Sequence, residues 1–344
     1  MQKTSFIKQY YSILSPDYPS FIDKYLNLPI LKRLNGVGLL CGTDWTPLYN
    51  NSFFYSRLDH SIGVALIIWN FTHDKAQTLS GLLHDVSTPA FSHVLDFMKG
   101  DTLRQETTES LNAHIILTDN ELKEMLKTDE ISLLDVSDYH RYPIADNDLP
   151  RLSADRLEYM YSTGFVMRDI WTLHDIRESY NNMKIFKNEI GNDELGFTSL
   201  DIASDYCCKC CLTSKILLEN ENKLTLKLLS VIISKAIEIG AIKENDCYLY
   251  SEEEMMDIFS HIKDEEFKQL FQTFRFMTKI IRSKFPLSNM FSVSLDVKRR
   301  YINPLVGSVR ASELSDVTQR AIEDLLSYTD SLYANVLFYS CYNN

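Results

Sequence analysis

The sequence predicts a mainly helical, essentially all-α protein carrying a small β-hairpin element near its C-terminus. Three observations point there. The 344 residues include only 11 glycines and 9 prolines, roughly half the usual ~12% share of chain breakers, which disfavours a turn-rich sandwich or barrel. Apolar residues recur at helical spacing through most of the chain. Near residue 291 that period gives way to strict alternation.

Taken in order, residues 61–71 read as a buried helix, because Ile62, Val64, Ala65, Leu66, Ile67, Ile68 and Trp69 leave little polar surface. Residues 75–85 continue helically and must end before Pro89, which disfavours helix at Thr88. A third helix opens near Ala90, residues 137–150 form a loop rich in Asp, Asn, Tyr and Pro, and residues 155–163 lie on another helix. Residues 224–239 are strongly apolar, and Gly240 is placed to cap them. Ser251 with Glu254 forms a capping box opening a helix over 255–277, and the run Glu252, Glu253, Glu254 suits a helix N-terminus. Phe291, Val293, Leu295 and Val297 alternate with polar residues as a strand, with residues 301–306 its expected partner. Residues 1–200 are the expected core, and residues 201–344 a helical extension packed on it. No repeat, low-complexity stretch or flexible linker interrupts the chain.

The balance of 35 basic against 47 acidic side chains, net −12, argues against strong binding to a nucleic-acid backbone, which needs clustered cations. The N-terminus lacks the continuous apolar core of a signal peptide, and no stretch reaches the ~18–20 apolar residues of a membrane span. The seven cysteines are an odd number without a disulfide-framework spacing. A cytoplasmic location without membrane contact is therefore expected. Cys207, Cys208, Cys210 and Cys211 contain overlapping C-x-x-C spacings, but no second ligand pair follows at zinc-finger distance, so packed free thiols are expected.

His-Asp occurs three times, and the dipeptide alone carries little. His73-Asp74 and His174-Asp175 read as solvated surface; His114, His140 and His261 lack evident partners. His84-Asp85 differs: Leu82 and Leu83 bury the preceding helix, and a tight turn through Pro89 leads to His93. An imidazole and a carboxylate at a helix end can converge on one cation. Upstream, Arg57 and His60 are three apart and share a helix face. A guanidinium beside a metal ligand makes sense where an anion such as phosphate also binds, although a plain ion pair with Asp59 or another carboxylate would also account for Arg57. Arg151, Asp155 and Tyr159 follow at four-residue spacing, a carboxylate flanked by a guanidinium and a phenol.

The order His60, His84-Asp85, Asp155 resembles the H…HD…D signature of the HD-domain metal-dependent phosphohydrolases. Arg57-Leu58-Asp59-His60-Ser61-Ile62-Gly63-Val64 is similar to the R-x-x-H-S-x-G-V segment of their dNTP triphosphohydrolase branch. Gly81-Leu82-Leu83-His84-Asp85, with Pro89, Phe91, Ser92 and His93, resembles the L-L-H-D-x-G-H-x-P-F-S-H segment. Ala154-Asp155-Arg156-Leu157-Glu158-Tyr159 resembles D-x-D-R/K-x-D-Y, and Arg300-Tyr301-Ile302-Asn303-Pro304-Leu305-Val306 a late basic strand. The likeness spans roughly residues 25–310.

The resemblance implies a helical HD-domain fold and one divalent ion (Mn, Fe, Zn, Ni or Mg) held by His60, His84, Asp85 and Asp155. It further implies Arg57, His93 and Asp96 as catalytic groups, with His93 equally readable as a packed residue behind the site. Arg57, Thr88, Gln105, Arg151 and Tyr159 would contact a nucleotide or another phosphorylated small molecule. Such relatives commonly form homo-oligomers. The chain departs from the pattern at Thr88 and Gln105, where the family carries histidines, and at Gly36, where it carries a glutamine beside the sugar. Thr88 and Gln105 can hydrogen-bond phosphate but cannot shuttle a proton near neutral pH. Two functions are therefore expected to compete: hydrolysis of a nucleotide phosphoester, possibly a (deoxy)nucleoside triphosphate, or binding of nucleotide and metal as a sensor with little turnover.

Overall fold

A computed structural model describes residues 2–103 and 111–339. The molecule is mainly helical. Helix Arg57–Thr72 opens with a capping box in which Ser56 Oγ accepts from the Asp59 N–H while Asp59 takes the Ser56 N–H. It begins four residues before the predicted stretch, which places Arg57 and His60 in its first turn. Asp74 caps the next helix, Lys75–Leu83, by accepting from the Ala76 and Gln77 N–H groups. That helix stops two residues short of expectation, so His84 and Asp85 sit in the turn beyond it.

The helix expected near Ala90 opens only at Val94 and runs Val94–Met98. Phe91 and Ser92 hold φ of +63° and +52°, a left-handed pair that a helix cannot include. The loop over 137–150 forms as predicted apart from a short 3₁₀ turn, Tyr139–Arg141, and Ser153 then caps helix Ala154–Arg168. Helices Leu200–Leu218 and Asn220–Glu238 follow, with Gly240 at φ +73° donating to the Ile237 carbonyl at the end of the second.

The predicted helix over 255–277 is two helices, Glu252–His261 and Glu265–Phe276. Asp264 divides them: its carboxylate caps the second by accepting from the Phe267 N–H at 2.9 Å, a local bond that competes with helix continuation.

The β-structure exceeds one hairpin. Strands β1 (Met183–Lys187), β2 (Asp193–Phe197), β3 (Ile281–Ser283), β4 (Met290–Val293), β5 (Leu305–Val306), β6 (Val309–Arg310) and β7 (Tyr333–Leu337) form two sheets, ordered β1-β2-β5-β6 and β3-β7-β4. The expected pairing of residues 291–297 with 301–306 does not occur. Phe291 pairs antiparallel with Val336, and Val306 pairs parallel with Phe197. Strand β7 is central, pairing antiparallel with β3 along one edge and with β4 along the other, and its Ala334 and Val336 side chains are buried. The β2–β5 pairing also carries one sheet across residue 200.

Three apolar clusters fill the interior. One gathers around helices Lys3–Leu14, Arg57–Thr72 and Ala154–Arg168. Another joins Ala90, Phe91, Val94, Leu95 and Phe97 to helices Asn220–Glu238, Glu252–His261 and Glu265–Phe276. The turn after His84-Asp85 is thus seated on the C-terminal half. Of the cluster expected to be packed free thiols, Cys207, Cys210 and Cys211 are buried and Cys208 is partly exposed; Cys247 is buried as well.

Candidate metal centre and its cleft

His60, His84 and Asp155 come from three separate elements, and one ligand atom from each lies within 4.8 Å of the others. His60 Nε2 is 3.0 Å from Asp155 Oδ1, and His84 Nε2 is 3.7 Å from the same oxygen. Asp85 Oδ2 stands 3.9 Å from His60 Nε2 and 3.6 Å from His84 Nε2.

Both imidazoles are oriented from behind. His84 Nδ1 is 2.7 Å from the Gly81 carbonyl, which can only accept, so that nitrogen carries the hydrogen and Nε2 presents its lone pair. His60 Nδ1 bonds the Glu158 carboxylate in the same sense. Glu158 is fully buried and also accepts from the hydroxyls of Tyr55 (2.6 Å) and Tyr10 (3.2 Å). A ring nitrogen fixed by a carboxylate or carbonyl is how metal-binding histidines are usually held. His60 is 1% exposed; burial opposes its charged form, but Glu158 and Asp155 outweigh burial and raise it to about 10. The pocket therefore favours positive charge, and its two nitrogens and carboxylate oxygens suit a divalent cation.

Arg57 occupies the neighbouring position. Nη1 donates to Asp85 Oδ2 at 2.9 Å and Nε to Ser92 Oγ at 3.1 Å, while Ser92 in turn donates to the Gly38 carbonyl. Burial works against the Asp85 carboxylate, yet Arg57 and the two histidines hold it well below the usual range. Asp155 is likewise depressed against burial, chiefly through His60. The plain ion pair of Arg57 is formed with another carboxylate, Asp85, and not with Asp59, which serves the helix cap and pairs with Lys3 at 2.7 Å.

These groups floor a cleft of about 390 Å³ whose walls include Arg156, Tyr139, Tyr159, His93, Lys298 and Arg300. Thr88 lines it too, its hydroxyl donating to Asp85 Oδ1 at 2.9 Å. His93, 27% exposed at its side chain, bonds Asp96 through Nδ1 at 3.0 Å. Asp96 is fully buried behind it and does not reach the cleft.

Two expectations are corrected. Arg151 precedes helix Ala154–Arg168, so it shares no stripe with Asp155 and Tyr159; it turns to Glu189 at 3.2 Å and lies outside the cleft. Gly36 packs against Ser251, where an added Cβ would meet the Ser251 Cβ at 2.5 Å, and it lines no part of the cleft either. Gln105 falls outside the described residues. The remaining His-Asp pairs behave as surface: His73 and His174 are exposed, while Asp74 and Asp175 cap helices.

Sequence reasoning gave no role to Glu158, Tyr139, Lys298 or Arg300, although Glu158 and Arg300 stand within the motifs that carry the resemblance. Glu158 could have been found, since it lies one turn beyond Asp155 on the same helix face. Arg300 opens the basic segment 300–306, whereas Tyr139 and Lys298 arrive from distant segments and leave no local sign.

No protein-family model matches the sequence. Uncharacterized protein YdhJ of Bacillus subtilis (strain 168) is 32% identical over 126 residues, which are 35% of this chain and 38% of that protein. The likeness thus spans well under half of that relative's length. Among solved structures, a hypothetical protein from Aquifex aeolicus superposes with a TM-score of 0.62 at 16% identity, covering 95% of this chain and 94% of the other. A phosphohydrolase from Bacteroides thetaiotaomicron VPI-5482 superposes with a TM-score of 0.59 at 14% identity, covering 94% and 96%. The chain therefore has the same fold as these two proteins along nearly its whole length. No described helix is long and apolar enough to cross a membrane.

Proposed function

We propose that the chain is a metal-dependent phosphohydrolase of the HD type that cleaves a phosphoester of a nucleotide. One observation carries this reading: His60, His84 and Asp155 converge, with Asp85 and Arg57 alongside, on the floor of a cleft bordered by Arg156, Lys298 and Arg300. The fold shared with a protein named a phosphohydrolase supports it. The three clustered residues, with Asp85, would hold the ion, which supplies Lewis-acid stabilisation to a phosphoryl oxygen.

The chain's own groups do the rest. Arg57, fixed by Asp85 and Ser92, meets a phosphate oxygen without having to reorganise. Asp96 takes the Nδ1 hydrogen of His93 and leaves Nε2 to accept a proton. Burial lowers His93, as do Arg57 and Arg300 against the pull of Asp96, which keeps the ring neutral near pH 7. The half-buried ring of Tyr159 suits a nucleoside on the cleft wall.

A second reading is a nucleotide and metal sensor with little turnover. The observation in its favour is Thr88, whose hydroxyl is committed to Asp85 where relatives of this type carry a proton-transferring histidine. Assay of phosphate, pyrophosphate and triphosphate release from a nucleotide panel with several divalent ions separates the two. The hydrolase reading expects one product, abolished by Asp85→Ala; binding without release from any nucleotide would favour the sensor.

A further inference from the structure

Cleavage of a sugar–phosphate bond needs one proton taken and one given. His93 is placed to take a proton from water, but a departing sugar oxygen is a poor anion and must be protonated as its bond breaks. Thr88, committed to Asp85, cannot do this. The cleft holds one further imidazole, His140, which lines its wall and takes no part in the metal cluster. The sequence shows no partner for it, and the fold supplies two.

Asp138 caps the 3₁₀ turn Tyr139–Arg141, its Oδ1 accepting from the His140 backbone N–H at 3.1 Å and lying 3.0 Å from the ring Nδ1. The turn needs only the first of these bonds. The second orients the ring: a carboxylate oxygen accepts, so Nδ1 carries the hydrogen and Nε2 faces away from Asp138. Nε2 stands 3.6 Å from Asp146 Oδ2, beyond hydrogen-bonding distance. Asp146 is held in turn by Arg156, whose Nη1 lies 3.2 Å from its Oδ1. A hydrogen on Nε2 would therefore face a carboxylate without being committed to it.

The position suits the chemistry. The His140 side chain is 54% exposed, and its ring centroid is 4.3 Å from that of Tyr139, which is 5.0 Å from that of His84. One aromatic ring links it to the metal cluster. The pairing also repeats that of His93 with Asp96, each imidazole bonding its carboxylate through Nδ1 at 3.0 Å.

We propose that His140 is the general acid that protonates the departing sugar oxygen; this rests on reading the cleft as a phosphohydrolase site. The water oxygen bonds to phosphorus, the bond from phosphorus to the sugar oxygen breaks, and its electron pair stays on that oxygen. His140 Nε2 gives the oxygen a proton while His93 Nε2 takes one from the water, and exchange with solvent restores both rings. Asp138 is a positioning residue for His140.

Two kinds of probe test this on the full chain with a divalent ion. One is deoxynucleoside 5′-mono- and triphosphates, followed by nucleoside release. The other is the p-nitrophenyl ester of thymidine 5′-monophosphate, whose departing nitrophenolate is stable without a proton. His140→Gln is expected to lower kcat for nucleoside release about a hundredfold, at the low end of what a positioned acid contributes, with KM nearly unchanged. Nitrophenolate release should fall far less. Asp138→Asn should give the same pattern with a smaller loss, and divalent-ion affinity of both variants, read by competition with a chelating dye, should match the wild type. Wild-type nucleoside release undiminished in His140→Gln, equal losses on both probes, weakened ion binding, or a wild type that frees phosphate or pyrophosphate but no nucleoside would each overturn His140 as the acid and leave the hydrolase reading standing. No release by the wild type from any probe under any ion would overturn both.

Discussion

Glu158 governs how His60 can meet a cation, because it takes the hydrogen on Nδ1 and so fixes which nitrogen faces Asp155. Glu158→Gln is expected to weaken divalent-ion affinity by about ten- to a hundredfold, measured by competition with a chelating dye; unchanged affinity would remove Glu158 from this role. Arg57 sets a different balance. With its guanidinium gone, Asp85, only 12% exposed at its side chain, keeps a nearly buried charge without its closest partner. Arg57→Met is expected to cost about 3 kcal/mol in urea unfolding, the usual loss when one member of a buried pair is removed. Added divalent ion should recover part of that loss by binding the folded state alone. His60, His84, Asp85 and Asp155 were legible because each stands in a local motif. Glu158 was not singled out, since its importance depends on Tyr10 and Tyr55 reaching it from other segments.

Helix Glu252–His261 supports the turn beside the cleft through one side chain. Glu252, fully buried, accepts from the Gly38 N–H at 2.8 Å, the Phe91 N–H at 3.0 Å and Trp45 Nε1 at 2.7 Å. It thereby anchors the left-handed pair Phe91-Ser92 that delivers Ser92 to Arg57. Burial raises Glu252 from 4.5 to about 7, opposed by Trp45, Gly38 and Phe91. Over that interval the folded chain holds a proton that the unfolded chain has released, so stability falls as pH rises from about 4.5 through about 7. The wild-type advantage over Glu252→Gln in urea midpoint should therefore shrink between about pH 5 and 7.5; a difference flat with pH would exclude this titration. At the next break, Asp264→Ala is expected to cost about 1 kcal/mol by loss of the cap on Glu265–Phe276, readable in the same unfolding curves. The capping box at Ser251 was legible because its two bonds are local. The break at Asp264 was not, since the apolar spacing runs on through it.

At the scale of the whole molecule, the two halves of the chain share their interior. The segment from Ala90 to Phe97 packs into the cluster of the C-terminal helices, and β5 joins the sheet that β1 and β2 begin. One cooperative unfolding transition is therefore expected, coincident by circular dichroism and tryptophan fluorescence; two separated transitions would mean that the halves are independent. Helical content was readable from spacing and from the scarcity of breakers. Strand partners were not, because β4 and β5 find β7 and β2 across long stretches of chain, and alternation marks a strand without naming its neighbour.

The thiols concealed in helix Leu200–Leu218 give the molecule a built-in clock. Cys207, Cys210 and Cys211 are buried there, whereas Cys208 of the same helix is partly open. A maleimide label should thus modify Cys208 promptly and the three buried thiols only when the fold breathes, so the slow phase of labelling times the opening of the interior without any engineered probe.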